Sequence, residues 1–164
     1  MGVPMSIAYI LHDVLPKAYD LLPASMASTR ANVMLLAIGL QESNLEYRRQ
    51  IGGPARGLWQ FEKGGGVKGV LTHKASKNIA LDVCQALDIV PDADACYLAL
   101  AENDILAACF ARLLLFTDPK PLPDVNDTGG AWDYYNRIWR PGKPHPLRWH
   151  ACHEKAREAV KGLI

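Results

Sequence analysis

Apolar residues recur at helical spacing along most of the chain, and this pattern predicts a mainly α-helical protein. The first stripe runs from Ile7 to Leu22, and Pro16 within it predicts two short helices or one kinked helix. A nearly continuous apolar run, 33–38, lies within a helix predicted over about 31–45. Because this run leaves little polar surface, we expect that helix to be central and buried on several sides.

The same periodicity predicts further helices after the glycine-rich part of the chain. The first of them covers about 76–89, and the second starts at Asp92 or Asp94 and continues through the apolar stripe 105–116. A third begins at a cap, Asp127 or Thr128, and the last covers 148–161. A small β-hairpin around 57–70 is compatible with the turn residues there. The expected fold class is therefore mainly α, in one domain over 1–164 with room for a small hairpin.

Composition excludes several classes of protein. The chain has 164 residues, of which 49% are hydrophobic and 21% charged, so it is not globally disordered. Its net charge of +1 gives no electrostatic basis for binding nucleic acid or an anionic membrane. The longest apolar run is far shorter than the roughly 20 residues that a membrane span needs. No secretory signal peptide is visible at Met1–Met5, since a positive start is missing and Asp13 interrupts the apolar stretch that follows.

Candidate metal and cofactor motifs are weak, and we expect neither group. The four cysteines include no Cys-x-x-Cys pair, so they predict either buried apolar side chains or one or two disulfides formed in an oxidising compartment. His150, Cys152 and His153 crowd one helical turn without the i, i+4 spacing of a metal site, which favours a capping or surface role. The glycine run 64–66 lacks the Lys-Ser/Thr of a phosphate-binding loop.

Glu42 is the first candidate for chemistry because it lies at the end of the most apolar predicted helix. A carboxyl group held against apolar neighbours has its charged form disfavoured, so its pKa rises. A raised pKa is the property that a general acid needs near neutral pH. Taken alone, Glu42 is more typical of a solvated glutamate at a helix end than of a catalytic acid, and Glu46, one turn later, is more typical of a surface residue.

Three short motifs in a fixed order change that balance. Glu42-Ser43 is followed fifteen residues later by Gly57-Leu58-Trp59-Gln60, and Tyr135-Asn136 comes near the end of the chain. The set resembles the lytic transglycosylase family related to goose-type lysozyme, in which a Glu-Ser pair ends a buried helix and a Gly-Leu-Met-Gln motif follows. The resemblance covers about 31–139. It departs from the family at Tyr134, where alanine is usual, and at Arg137-Ile138, where Ala-Gly is usual.

The resemblance implies a lysozyme-like fold and cleavage of the β-1,4 bond between N-acetylmuramic acid and N-acetylglucosamine in peptidoglycan. Glu42 would be the catalytic acid, and the substrate-binding residues would be Ser43, Trp59, Gln60, Tyr135 and Asn136. Glu62 is added from its position two residues past Gln60, where it is either a cleft carboxylate or a solvated loop residue. A single glutamate would close a 1,6-anhydro ring, whereas Glu62 as a second carboxylate would allow hydrolysis. A catalytically silent virion or wall-binding module is the alternative from another class. The expected source is a bacteriophage lysis or virion enzyme, monomeric, made in the host cytoplasm and acting on the cell wall.

Overall fold

The computed structural model describes residues 5–162, so part of the N-terminal stretch inspected for a signal peptide lies outside the described residues. The described chain is mainly helical, as predicted, and its only strand-like pairings are isolated bridges. Its α-helices are α1 Met5–Tyr9, α2 Leu15–Asp20, α3 Thr29–Ser43, α4 Lys68–Thr72, α5 Lys77–Ala86, α6 Ala93–Leu100, α7 Asp104–Phe116, α8 Thr128–Trp139 and α9 Pro146–Lys161. Within residues 5–162, no helix combines the length and apolarity that crossing a bilayer requires.

The N-terminal stripe forms one continuous helical path rather than two separate helices. A π-helical turn, Ile10–Val14, joins α1 directly to α2. Pro16, the second residue of α2, has no backbone N–H to donate into this continuous helix, and the π-helical turn lies directly before α2. Ile10, Leu11 and Val14 are buried on this turn, so the wider π geometry keeps the apolar stripe facing the core.

Helix α3 is the central helix, as its apolar run predicted. It begins at the cap Ser28, whose hydroxyl oxygen accepts a hydrogen bond from the Ala31 amide at 3.0 Å. Residues 33–41 are all buried, and α9 packs along α3. The helix ends at Asn44, which takes up a left-handed conformation with φ 57°. This termination leaves Glu42 in the last turn of a buried helix.

The stripe that was predicted to continue from Asp92 is divided into two helices. Asp92 caps α6, and Asn103 caps α7 by accepting a hydrogen bond from the Leu106 amide at 3.0 Å. Helix α7 is buried over most of its length and includes Arg112, whose Nε donates to the Met26 carbonyl at 3.0 Å. The break at 101–103 turns the chain so that α7 packs against α2, α3 and α5.

The hairpin considered for 57–70 is absent. Arg56 makes isolated bridges to Arg49 and Phe61, and the chain then enters a π-helical turn, Lys63–Val67, that leads into α4. Two left-handed residues, Gly57 and Gln60, reverse the chain within four positions, which is too short for a strand. The turn residues were recognised in the sequence, but they close a loop and not a hairpin.

Candidate active site

Glu42 and Tyr135, which are 93 positions apart, meet where α3 and α8 approach each other. The Tyr135 hydroxyl donates a hydrogen bond to Oε2 of Glu42. Tyr135 is 2% exposed, and Glu42 is half-buried. Glu42 therefore accepts a hydrogen bond from a fixed donor and is still partly exposed.

The surroundings of Glu42 favour its protonated form. Burial raises the pKa of Glu42 above its usual value of 4.5, although the hydrogen bond from Tyr135 and the positive charge of Arg148 act in the opposite direction. Burial and the neighbouring Glu42 carboxylate also raise the pKa of Tyr135, so this residue stays a hydrogen-bond donor at any pH of interest. A carboxyl group with a raised pKa and a permanent donor beside it is suited to giving up and taking back a proton.

An aromatic stack supplied by α9 fixes Tyr135 in place. The Tyr135 ring lies parallel to the Trp149 ring, with centroids 5.0 Å apart and an interplanar angle of 7°. Trp149 is buried, and its Nε1 donates to the Thr128 carbonyl at 3.1 Å. We call Glu42, Tyr135 and Trp149 the acid cluster. The sequence placed Trp149 on a buried stripe of the last helix, but no motif connected it with Glu42.

His153 continues this stack and corrects an expectation. A capping or surface role was expected for the His150–His153 segment, and His150 is indeed exposed. His153, however, is 1% exposed, stacks on Trp149 with centroids 5.9 Å apart, and shares a hydrogen bond of 3.1 Å with the Thr128 hydroxyl. Burial lowers the pKa of His153, so the ring is neutral and acts as part of the core.

The loop 57–60 is fastened to the end of α3, and this corrects the roles expected for Ser43 and Trp59. The Ser43 hydroxyl donates to the Leu58 carbonyl at 2.6 Å, and Trp59 Nε1 donates to the Leu35 carbonyl at 2.8 Å. Ser43 is 5% exposed and Trp59 is fully buried. Because neither side chain has free surface, their contribution is to position the loop and not to contact a substrate.

Gln60 and Glu62 line a groove of about 470 Å³ beside the acid cluster. The groove walls also include Phe61, Gly64, Gly65, Gly66, Gly69, His73, Leu114, Thr117, Arg137, Ile138, Trp139 and Arg140. Glu42 and Tyr135 do not line it. Trp139 connects the two regions, since its ring centroid lies 6.3 Å from that of Tyr135 and its Nε1 donates to the Trp59 carbonyl at 3.0 Å.

One side of this groove is formed by Glu62 and the glycines 64–66, and we call residues 62–66 the glycine wall. Glu62 is exposed. A Cβ atom added at Gly64 would meet no atom within 4 Å, and one added at Gly65 would meet only the Glu62 Cβ at 3.9 Å. Packing therefore does not require glycine at these two positions, and their missing side chains leave the groove open.

Asn136, Tyr134 and Arg137, which the sequence motifs singled out, all lie on α8. The Asn136 side-chain amide donates to the Trp132 carbonyl of its own helix at 2.9 Å, and Asn136 is half-buried. Arg137 binds Asp118, with Nε to Oδ2 at 3.1 Å, and lies over the Tyr134 ring at 4.8 Å. The Tyr134 hydroxyl donates to the Leu115 carbonyl at 2.7 Å. Tyr134 and Arg137 thus pin α8 to the end of α7.

Among residues 5–162, no group of three or more His, Cys, Asp or Glu side chains is arranged to hold a metal ion. All four cysteines are buried and unpaired. Comparisons with protein-family models, curated proteins and solved structures found no match to this chain.

Proposed function

We propose that this protein cleaves the β-1,4 glycosidic bond between N-acetylmuramic acid and N-acetylglucosamine in bacterial peptidoglycan, with Glu42 as the general acid. The observation that carries the proposal is the hydrogen bond from Tyr135 to Glu42. It joins two residues that are distant in the sequence and that the family resemblance pairs at a catalytic centre. A lysozyme-like fold and a monomeric state belong to the same proposal.

The first step is protonation of the bond to be broken. Glu42, whose pKa is raised by burial, donates its proton to the glycosidic oxygen. The substrate's own N-acetyl group then stabilises the electron-poor sugar carbon. The hydrogen bond from Tyr135 and the charge of Arg148 stabilise the carboxylate that remains, which prepares Glu42 to act as a base.

The second step is closure of a 1,6-anhydro ring. The Glu42 carboxylate takes the proton of the muramic 6-hydroxyl, whose oxygen attacks the same sugar carbon. One carboxyl group is then enough for both steps, and neither a metal nor a cofactor takes part. Gln60 lines the groove, with its side-chain amide donating to the Gly57 carbonyl at 3.0 Å, and it is the residue that we expect to hold the sugar.

Hydrolysis with Glu62 is the second candidate, because Glu62 is exposed and lines the same groove as Gln60. In that reaction Glu62 activates a water molecule and the product has a reducing end. We favour transglycosylation, since Glu42, Gln60 and Tyr135 resemble transglycosylase positions.

The source and place of action that fit this activity are those of a bacteriophage enzyme. Made in the host cytoplasm, it acts on the glycan strands after release at lysis or as part of the virion. Its partners are glycan strands, and neither nucleic acid nor membrane is part of the mechanism.

Mass spectrometry of the products tests the proposal. Purified peptidoglycan is digested with the wild-type protein and with Glu42→Gln, and the released muropeptides are weighed. We expect 1,6-anhydro ends, which are lighter than reducing ends by one water, and none with the variant. If the folded wild-type protein releases no fragments, the silent-module alternative replaces the proposal.

A further inference from the structure

Two of the four cysteines lie next to each other in the core, away from the acid cluster. Cys84 on α5 and Cys96 on α6 have their sulfur atoms 3.6 Å apart, and both residues are fully buried. A disulfide bond is about 2.05 Å long, so a shift of roughly 1.5 Å would bring the two sulfurs to bonding distance. The eleven residues between them connect the end of α5 to the first half of α6.

The connection between α5 and α6 is what brings the two thiols together. The Ile89 amide donates to the Cys84 carbonyl at 2.9 Å, and Asp88 takes up a left-handed conformation with φ 57°. Asp92 then caps α6 through the Ala95 amide at 2.7 Å. The chain therefore reverses within a few residues, and Cys96 in the first half of α6 faces the last turn of α5.

The other two cysteines have different partners. The Cys109 thiol contacts the Ala18 carbonyl at 3.6 Å, and Cys152 lies on α9. Among the described residues, neither is in hydrogen-bond contact with another sulfur. The geometry thus selects one pair from the four cysteines, a choice that the sequence left open.

We propose that Cys84 and Cys96 are a disulfide-forming pair that is oxidised by a disulfide compound such as oxidised glutathione. The Cys84 thiolate attacks one glutathione sulfur and expels the other glutathione, which takes up the proton. The Cys96 thiolate then attacks the Cys84 sulfur of this mixed disulfide and expels the second glutathione. Two cysteine thiols are oxidised, one glutathione disulfide is reduced to two thiols, and the two protons pass to them.

The contact between the two thiols also sets the order of attack. With Cys96 as hydrogen-bond donor, the pKa of Cys84 is lowered, whereas this bond and burial raise the pKa of Cys96. Cys84 is therefore the better first nucleophile. Its access to an oxidant depends on local opening of the connection, whose residues 85, 86, 88 and 90–92 are exposed.

A bond at this position would act on the groove through α6. Helix α6 packs against the π-helical turn Lys63–Val67, and Lys63 Nζ lies 2.9 Å from an Asp94 carboxylate oxygen. A disulfide between α5 and α6 would therefore fix the helix against which the glycine wall packs. The inference does not depend on the proposed reaction, but a protein that leaves a reducing cytoplasm to act outside it would meet such an oxidant.

Disulfide mapping of the full-length protein tests the pairing. The protein is incubated with oxidised glutathione or with a thiol reductant, unreacted thiols are alkylated, and the chain is cut on the N-terminal side of aspartates. Aspartates at 82, 88, 92, 94, 104 and 118 place Cys84, Cys96 and Cys109 in separate peptides. We expect peptides 82–87 and 94–103 to be linked, with a loss of two hydrogens, and Cys109 and Cys152 to be alkylated. Linkage to Cys109 or Cys152, or four alkylated cysteines after unfolding of the oxidised sample, overturns the proposal.

Thermal unfolding with matched variants provides the second measurement. Closing a loop of this size should raise Tm by about 6–12 °C in the oxidised over the reduced wild-type protein. Cys84→Ala and Cys96→Ala should each lose this difference, whereas Cys109→Ala and Cys152→Ala should keep it. Each variant is compared only with its own reduced form, so a general loss of stability does not affect the result. An oxidised wild-type protein with an unchanged Tm contradicts the proposed disulfide.

Discussion

The acid cluster and the glycine wall are neighbouring regions built on opposite principles. In the acid cluster, Tyr135 and Trp149 are about 2% exposed and every polar atom described above has a fixed partner. In the glycine wall, Glu62 is exposed, and a Cβ atom added at Gly64 or Gly65 would meet at most one neighbouring atom within 4 Å. The first region is closed by packing, and the second is kept open by missing side chains.

This difference shows how one small domain can serve two requirements. A general acid needs a raised pKa, and burial is what raises it for Glu42. A polymeric substrate needs an open groove along the glycan strand, and glycine residues leave that space without displacing any core residue. Substitutions in the acid cluster should therefore act on the chemical step, and substitutions in the glycine wall should act on binding.

The largest effect is expected for Glu42→Gln. The amide has nearly the same shape but no labile proton, so the rate of peptidoglycan cleavage should fall by about 10²–10⁴-fold while the fold is retained. Glu46→Gln is the matched control, since Glu46 lies one turn further on and is exposed. Turbidity loss of permeabilised cells and circular dichroism measure rate and fold. Comparable rates for the two variants would remove Glu42 from the mechanism.

Tyr135→Phe should lower the rate by about 10- to 100-fold, because it removes a hydrogen bond to a charged group. That bond lowers the pKa of Glu42, so its loss should raise this pKa further. A general acid is active only when protonated, and activity therefore falls as pH rises through its pKa. We expect this alkaline limb of the kcat/KM profile to move to higher pH in the variant.

Tyr134→Phe is the control for that shift. Tyr134 is the adjacent residue, is 3% exposed, and its hydroxyl binds the Leu115 carbonyl instead of a carboxylate. The Tyr134→Phe variant should be less stable than the wild-type protein, but the alkaline limb of its kcat/KM profile should stay at the same pH. If both variants or neither of them move the limb, the bond between Tyr135 and Glu42 does not tune the acid.

The sequence predicted the acid cluster better than the glycine wall for a physical reason. The helix that carries Glu42 is marked by a long apolar run, and the predicted caps Asp92 and Asp127 each begin a helix through a local side-chain hydrogen bond. Such signals act over three or four residues and can be read directly. The π-helical turn at 63–67 packs against α6, which is remote in the sequence.

Contacts between distant helices explain the other errors. Trp59 looked like a cleft residue, but its indole is used to fasten the loop to Leu35. His153 looked like a surface residue because its spacing along α9 does not reveal the hydrogen bond that it shares with Thr128 on α8. Both cases need the packing of two elements, which no spacing along one helix encodes.

Gly65→Leu tests the glycine wall, with a smaller expected effect. A Cβ at Gly65 would meet only the Glu62 Cβ at 3.9 Å, so we expect a leucine there to add bulk to the groove lining and to change Tm little. On soluble glycan fragments we expect KM to rise by about tenfold with kcat nearly unchanged. Gly142→Leu is the control, since Gly142 is exposed and lies outside the groove. Gly52 also lies outside the groove, but its left-handed backbone would be strained by a leucine. An equal KM in both variants would place binding elsewhere.

The smallest effect is expected for Glu62→Gln, and it decides between the two reactions. If Glu42 alone carries the proton in both steps, loss of the Glu62 charge should leave the rate within about twofold and the products should keep their 1,6-anhydro ends, because an exposed carboxylate contributes little beyond its solvated charge. If Glu62 activates water, the same substitution should lower the rate by about 10²–10⁴-fold, and wild-type products should have reducing ends. Rate and product mass are independent readouts, so reducing ends with a silent Glu62→Gln would require a base other than Glu62. In that case Glu62 would line the groove without taking part, and the open wall would serve binding alone.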